Sequence, residues 1–96
     1  MKLVVHPLVQ IDVLEAMTYY ERKGGTKLAA DFFLEFETLK NTILDRPLSF
    51  AAIDEKHRKC RFDRFPFHAL FRFESDHIFI LVVRHNARHQ DFRLDR

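Results

Sequence analysis

The residues able to do chemistry are concentrated in the second part of the chain. Residues 56–96 hold most of the arginines and five of the six histidines, whereas residues 1–55 are mildly acidic, with nine Asp and Glu against six Lys and Arg. Two groups stand out. Lys59, Arg61, His68 and Arg72 alternate with apolar residues at a period of two, which places them together on one face of a sheet. Arg84 to Arg96 forms a dense tail in which Arg84, Arg88, Arg93 and Arg96 are interleaved with His85, His89 and one aromatic, Phe92. A guanidinium grips phosphate or carboxylate through two parallel hydrogen bonds, and an imidazole can move a proton near neutral pH. These groups suit an anionic partner, either the phosphates of a nucleic acid or a carboxylate-rich protein segment. Basic residues around an aromatic also suit single-stranded nucleic acid. The plain alternatives are a solvated charged face and a frayed polar terminus.

Other chemistries find no support. Cys60 is the single cysteine, and His85 and His89 have helical spacing in a segment without a helical pattern. A zinc site wants three or four placed ligands. Both glycines sit at one point, Gly24-Gly25, so there is no glycine-rich phosphate loop. Ser49 and Ser75 fall in loops, with no serine–histidine–aspartate pattern. No metal or other cofactor is implied.

Ninety-six residues make one domain, residues 1–96, able to bury one core. Hydrophobic content of 47% and charged content of 31% are ordinary for a globular protein, and the formal charge is only +2. Eleven phenylalanines without a tryptophan read as core filling. Cys60 lies in an apolar strand pattern and reads as a buried thiol in a reducing compartment. MKLVVHPLVQ is too short and too polar for a signal peptide. No apolar run approaches the ~20 residues of a membrane span. The expectation is a cytoplasmic protein without a membrane partner.

The elements that must position the basic residues follow from periodicity. Lys2 to His6 predicts a short strand ended by Pro7. Val9, Val13, Ala16, Met17 and Tyr20 form the stripe of an amphipathic helix, which Gly24-Gly25 stops. Thr26 is an N-cap for a second helix carrying Leu28, Ala29, Phe32, Phe33, Phe36, Leu39 and Ile43, which Asp45-Arg46-Pro47 ends. The two helices predict an antiparallel hairpin lying on a sheet. Leu48 to Glu55 reads as a loop anchored by Phe50 and Ile53. Arg58–Phe62, the strand after Pro66 and Ile78–Val83 follow as three antiparallel strands, with Arg64-Phe65-Pro66-Phe67 as a corner. Phe67, Phe71 and Phe73 should face the helices, leaving Lys59, Arg61, His68 and Arg72 on a free cationic side. The fold class is α+β, ordered β-α-α-β-β-β, with a short basic C-terminal tail.

These pieces in this order resemble the RelE/ParE superfamily of type II toxin–antitoxin toxins, which includes plasmid stabilisation proteins. The resemblance covers nearly the whole chain. It is carried by Tyr19-Tyr20, Leu28-Ala29 with Phe32 or Phe33, Ile43 through Pro47, Arg64-Phe65-Pro66-Phe67 with Phe71-Arg72, and Val83-Arg84-His85 with Arg88 and Phe92-Arg93. It implies the same topology and a small cytoplasmic bacterial toxin neutralised by a cognate antitoxin, with operator DNA bound only through that antitoxin.

Two activities divide the superfamily: ParE-like members inhibit DNA gyrase, and RelE-like members cleave ribosome-bound mRNA without metal. By resemblance, a nuclease set would draw on Lys59, Arg61, His68, Arg84, His85 and Arg88. The tail tyrosine of such nucleases is replaced most nearly by Phe92, which cannot transfer a proton, so His85 or His89 would have to serve. The R-F-P-F corner is the more ParE-like form. The expected reading is therefore a ParE-like gyrase inhibitor, with a RelE-like mRNA endoribonuclease or a non-toxic nucleic-acid-binding module as alternatives. Antitoxin or target contacts are expected at Arg61, Arg72, Arg88, Phe92 and Arg93.

Overall fold

A computed structural model describes all residues, Met1–Arg96. Lys2–Val5 forms β1, Val9–Asp45 forms α1, and Pro47–Ser49 is a single 3-10 turn. Then come β2 (Ala51–Ala52), β3 (His57–Arg61), β4 (Phe67–Glu74) and β5 (His77–His85). The α+β class stands, and two details of the expected layout are corrected.

The first correction concerns the helices. The expected pair is joined with no loop between: Val9–Asp45 is one continuous run made of two helices that meet at a kink, and Gly25, not Thr26, is the residue at the break. One residue, Gly25, leaves helical geometry, at φ 85 and ψ −178. That backbone region is essentially restricted to glycine. A straight run of this length would be ~55 Å long at 1.5 Å per residue. The whole molecule is only 40 Å in its longest dimension, so the run bends sharply at Gly25. The Tyr20 and Phe32 rings consequently stack at 5.7 Å.

The second correction concerns the sheet. It has five strands and is mixed, in the order β1-β5-β4-β3-β2. The three antiparallel strands of the sequence reading are its centre. β1 adds to them in parallel, pairing Lys2–Val5 with His77–Ile80. Ala51–Ala52, expected in a loop, pairs with Lys59 and Arg58 as a two-residue edge strand. Its shortness explains why periodicity missed it.

One face of the sheet carries Phe71, Ala69, Ile78, Ile80 and Cys60 into a single core with Val9, Val13, Phe32, Phe36 and Ile43 of α1. Phe67 and Phe73 pack against it half-buried, as the period of two predicts. Phe32 is fully buried and touches the Phe62, Phe65 and Phe67 rings at 4.8 to 5.1 Å. The R-F-P-F corner is tied down from α1: Glu35 accepts from the backbone N–H groups of Asp63 and Arg64, and Asp31 pairs with the Arg64 guanidinium at 3.4 Å.

The β4–β5 register jumps: Leu70 pairs with Val82, but Phe71 pairs with Ile80. Leu81 is therefore the extra residue of a bulge. Leu81 and Val82 both turn to the side away from α1, where they meet Leu70. Val83 returns to the core, and Arg84 is carried to the outer side.

Candidate functional site

The cross-strand register places the expected basic residues. Arg61 pairs with His68 and His68 with Arg84, so the three form one row across β3, β4 and β5. Lys59 leads the next row, opposite Leu70 and Val82. Arg72 leads a third, between His57 and Phe79.

The row is not the free cationic side that alternation predicts, because its two inner members are buried. His68 is 2% exposed and Arg84 5%. His68 Nδ1 donates to Asn86 Oδ1 at 2.7 Å, and Arg84 Nε donates to His68 Nε2 at 2.9 Å. Both ring nitrogens are thus in use, and the ring is neutral. Burial, aided by the charges of Lys59, Arg84 and Arg61, pulls its pKa down to about 4, against a smaller upward pull from Asn86. Burial also lowers the pKa of Lys59, helped by Arg61 and Arg84, and that of Arg84 itself. The middle of this face is apolar, made of Leu70, Leu81 and Val82 with Phe79 and Leu94 against them. What remains open is Arg61 and part of Lys59 at one side.

The tail covers the rest. The sequence suggests that it hangs from β5; the structure docks it. Arg84 Nη1 donates to the Phe92 carbonyl at 2.6 Å, and Leu94 packs on the outer apolar patch. Arg93 and Arg96 both pair with the buried carboxylate of Asp12 on α1, Arg96 at 2.6 Å. This arrangement answers a need of the sheet. β1 ends at Val5, so β5 has no neighbour beyond Ile80 on that side. Asp12 Oδ2 accepts from the Val83 N–H at 3.0 Å, and Arg96 donates to the Leu81 carbonyl at 3.2 Å. Side chains thereby take the place of a missing strand.

Asp12 was missed by the sequence reading. A polar residue one position before Val13 on the apolar stripe was the available signal, since a buried carboxylate must be paired. Among the expected partner contacts, Arg93 is spent on Asp12 and Glu15. Arg72 is held by Glu74 at 3.2 Å and lies over the Phe79 ring. Arg88 makes no ion pair and stacks on Phe92 at 4.6 Å, with Arg93 on the same ring at 4.6 Å. His85 lies on the helix side of the sheet against Phe67, away from His68, and its Nδ1 accepts from the Ala87 N–H.

A cavity of about 650 Å³ opens between the first half of α1 and the tail, lined among others by Tyr19, Tyr20, Phe67, His85, Arg88 and Phe92. Burial, with the neighbouring Tyr19, raises the pKa of Tyr20. No helix is long and apolar enough to cross a membrane.

No protein-family model matches the chain, and no curated protein matches it by sequence. Solved structures do match. One is a chain of the chromosomal ParDE TA system from P. aeruginosa, 19% identical, covering 88% of this chain and 95% of that one, with a TM-score of 0.79. The likeness at this identity is one of fold.

Proposed function

We propose that this chain is the toxin of a type II toxin–antitoxin system, ParE-like, held inactive in the cytoplasm by a cognate antitoxin and directed against DNA gyrase. The observation that carries the reading is the shared fold with a chain of the ParDE TA system over 88% of the sequence. The order of the motifs from Tyr19-Tyr20 to Phe92-Arg93 supports it independently.

The chemistry of the sheet favours gyrase inhibition over RNA cleavage. A metal-independent ribonuclease needs a base for the 2′-hydroxyl and an acid for the leaving oxygen, both within reach of substrate. His68 is buried, with both nitrogens engaged. Phe92 offers no proton. His85 lies on the other side of the sheet from the cations of Arg61 and Lys59. The open cations Arg61 and Lys59 at one side of this face are the one feature favouring the nuclease reading, since they could hold a phosphate.

Induction of the chain alone tests the proposal. Expected are arrested growth, rescue by a co-expressed antitoxin, and inhibition of gyrase supercoiling by the purified protein with ribosome-bound mRNA left intact. Cleavage of that mRNA, abolished by Arg61→Ala, would replace gyrase by the ribosome. Absence of toxicity with salt-sensitive binding to unrelated nucleic acid would replace both.

A further inference from the structure

Of the six lysines, Lys40 and Lys59 are the two that are half-buried. Lys40 has a counter-ion, Glu37 at 2.9 Å. Lys59 has none. Its neighbours across the sheet are Ala51 on one side and Leu70, then Val82, on the other, so its stem lies along an apolar floor. The charges that reach it are those of Arg61 on its own strand and Arg84 on β5. His68 on β4, which feels all three cations, is itself neutral. Asp91 acts on Arg84 from the exposed tail, and no acid bears on Lys59. Three cations thus share one side of the sheet without a carboxylate among them.

Such surroundings oppose an ammonium, because burial and like charge both penalise it, and the pKa of Lys59 is lowered for these two reasons. A lysine desolvated beside other cations is a nucleophile. The same surroundings favour an anion at the end of that side chain. Arg61 is exposed, and it stands two residues along the same face of β3, ~7 Å from Lys59 at Cα. Both side chains are long enough for their ends to meet.

We infer that Lys59 is a carbon dioxide site: its Nζ forms a carbamate, whose two oxygens the Arg61 guanidinium holds. The ammonium first gives a proton to solvent. The Nζ lone pair attacks the carbon of CO2, a C–N bond forms, and the electron pair of one C=O bond passes to oxygen. A second proton leaves nitrogen for solvent, and nothing is oxidised or reduced. The side chain passes from cation to anion and supplies the carboxylate that the cluster lacks, in the planar form a guanidinium grips with two hydrogen bonds. Lys27 and Lys40 would instead exchange an ion pair for repulsion from Asp31 and Glu37. The inference goes beyond the toxin reading and does not depend on it.

The test equilibrates the purified full chain with 13C-labelled carbon dioxide and bicarbonate in phosphate-free buffer. Triethyloxonium then traps any carbamate as its ethyl ester, and mass spectrometry of a chymotryptic digest locates the label. Label at Lys59 should exceed that at Lys56, the exposed lysine three residues before it, at least about threefold. Lys59→Arg keeps the cation and removes the amine, so the carbamate carbon signal in the 13C spectrum of the intact chain should disappear. Arg61→Ala should lower the label at Lys59 about threefold, the scale of an exposed ion pair. Arg61→Glu should lower it about tenfold or more, since its carboxylate holds the ammonium and repels the carbamate. Arg72→Ala, on the same face but paired with Glu74, should change nothing. In guanidinium chloride the preference for Lys59 should vanish.

Absence of label at Lys59, label no greater than at Lys56, an Arg61→Glu chain labelled as well as wild type, or a preference that survives unfolding would each overturn the inference. None of these readouts involves toxicity or gyrase, so its failure leaves the toxin reading as it was, and a non-toxic chain labelled at Lys59 loses only the toxin reading.

Discussion

Asp12 and Val83, 71 residues apart in sequence, are joined by a buried hydrogen bond of 3.0 Å from the Val83 N–H to Asp12 Oδ2. The bond lies where β1 stops and β5 continues. The same carboxylate holds Arg93 and Arg96, so one helical side chain closes the open edge of the sheet and fastens the tail. Whatever the tail does for function depends on this helix residue.

Removing the carboxylate leaves a buried N–H and two guanidiniums without their acceptor. Breaking one side of a buried ion pair costs about 3–5 kcal/mol. Arg93 is partly exposed, so Asp12→Ala is expected to cost about 3 kcal/mol in urea unfolding, at the lower end of that range. Asp12→Asn keeps an acceptor for Val83 and should cost about half as much. Both variants should expose the tail to trypsin at Arg88 and Arg93. A tail as protected in Asp12→Ala as in wild type would refute the anchoring role.

His68 gives the fold a pH dependence whose sign is fixed. Its folded pKa of about 4 lies below the ordinary 6.5, so the unfolded chain takes up a proton that the folded chain refuses. The stabilisation is complete above pH 6.5 and is lost progressively as pH falls through 4. Between these limits the stability should fall by at most about 1.4 kcal/mol per pH unit from this one site. His68→Gln can still donate to Asn86 and accept from Arg84 but does not titrate. Its stability should be flatter in this window than that of wild type, and equal slopes would show that His68 titrates in both states.

The sequence made some of this legible and hid the rest for identifiable reasons. The helix-facing row Phe67, Phe71 and Phe73 was readable because one buried face imposes a strict period of two. The outer row was misread because the same alternation says nothing about what covers the other face. Leu81 and Val82 break the alternation through a bulge, and Leu94 arrives from the tail to pack on them. β2 was too short to show a period. β1 has a strand-like composition, but its parallel pairing with β5 is a long-range choice that no local pattern encodes. Asp12 was hidden because its partners lie at the far end of the chain.

Gly24 and Gly25 look equivalent in sequence and differ in the fold. Gly25 holds φ 85 with ψ −178, a conformation that any side chain strains. Gly25→Ala should cost about 1–3 kcal/mol. A Cβ on Gly24 would meet Leu28 Cδ2 at 2.6 Å, the far end of a flexible side chain that can turn away. Gly24→Ala should therefore cost about 1 kcal/mol or less, the more so because alanine favours the helix. Paired thermal melts decide this, and equal losses would mean that the bend at Gly25 does not need glycine.

The arginines expected to meet an antitoxin are not equally available to it. Arg72 already shares a carboxylate with Glu74 at 3.2 Å and covers the Phe79 ring, so binding a partner there means giving up contacts of similar kind. Arg88 has no ion pair to give up. Its guanidinium is exposed and oriented by Phe92. On the proposed toxin reading, Arg88→Ala should lower affinity for an antitoxin about tenfold, or about 1.4 kcal/mol, and Arg72→Ala by less than about threefold. Arg93→Ala should lower affinity and stability together, since it also loosens the tail from Asp12. Because the Arg88 contact is near the surface, its share of the affinity should shrink between low and physiological salt. An Arg72→Ala loss equal to or larger than that of Arg88→Ala, in the same titration calorimetry, would place the partner on the sheet face and not along the tail.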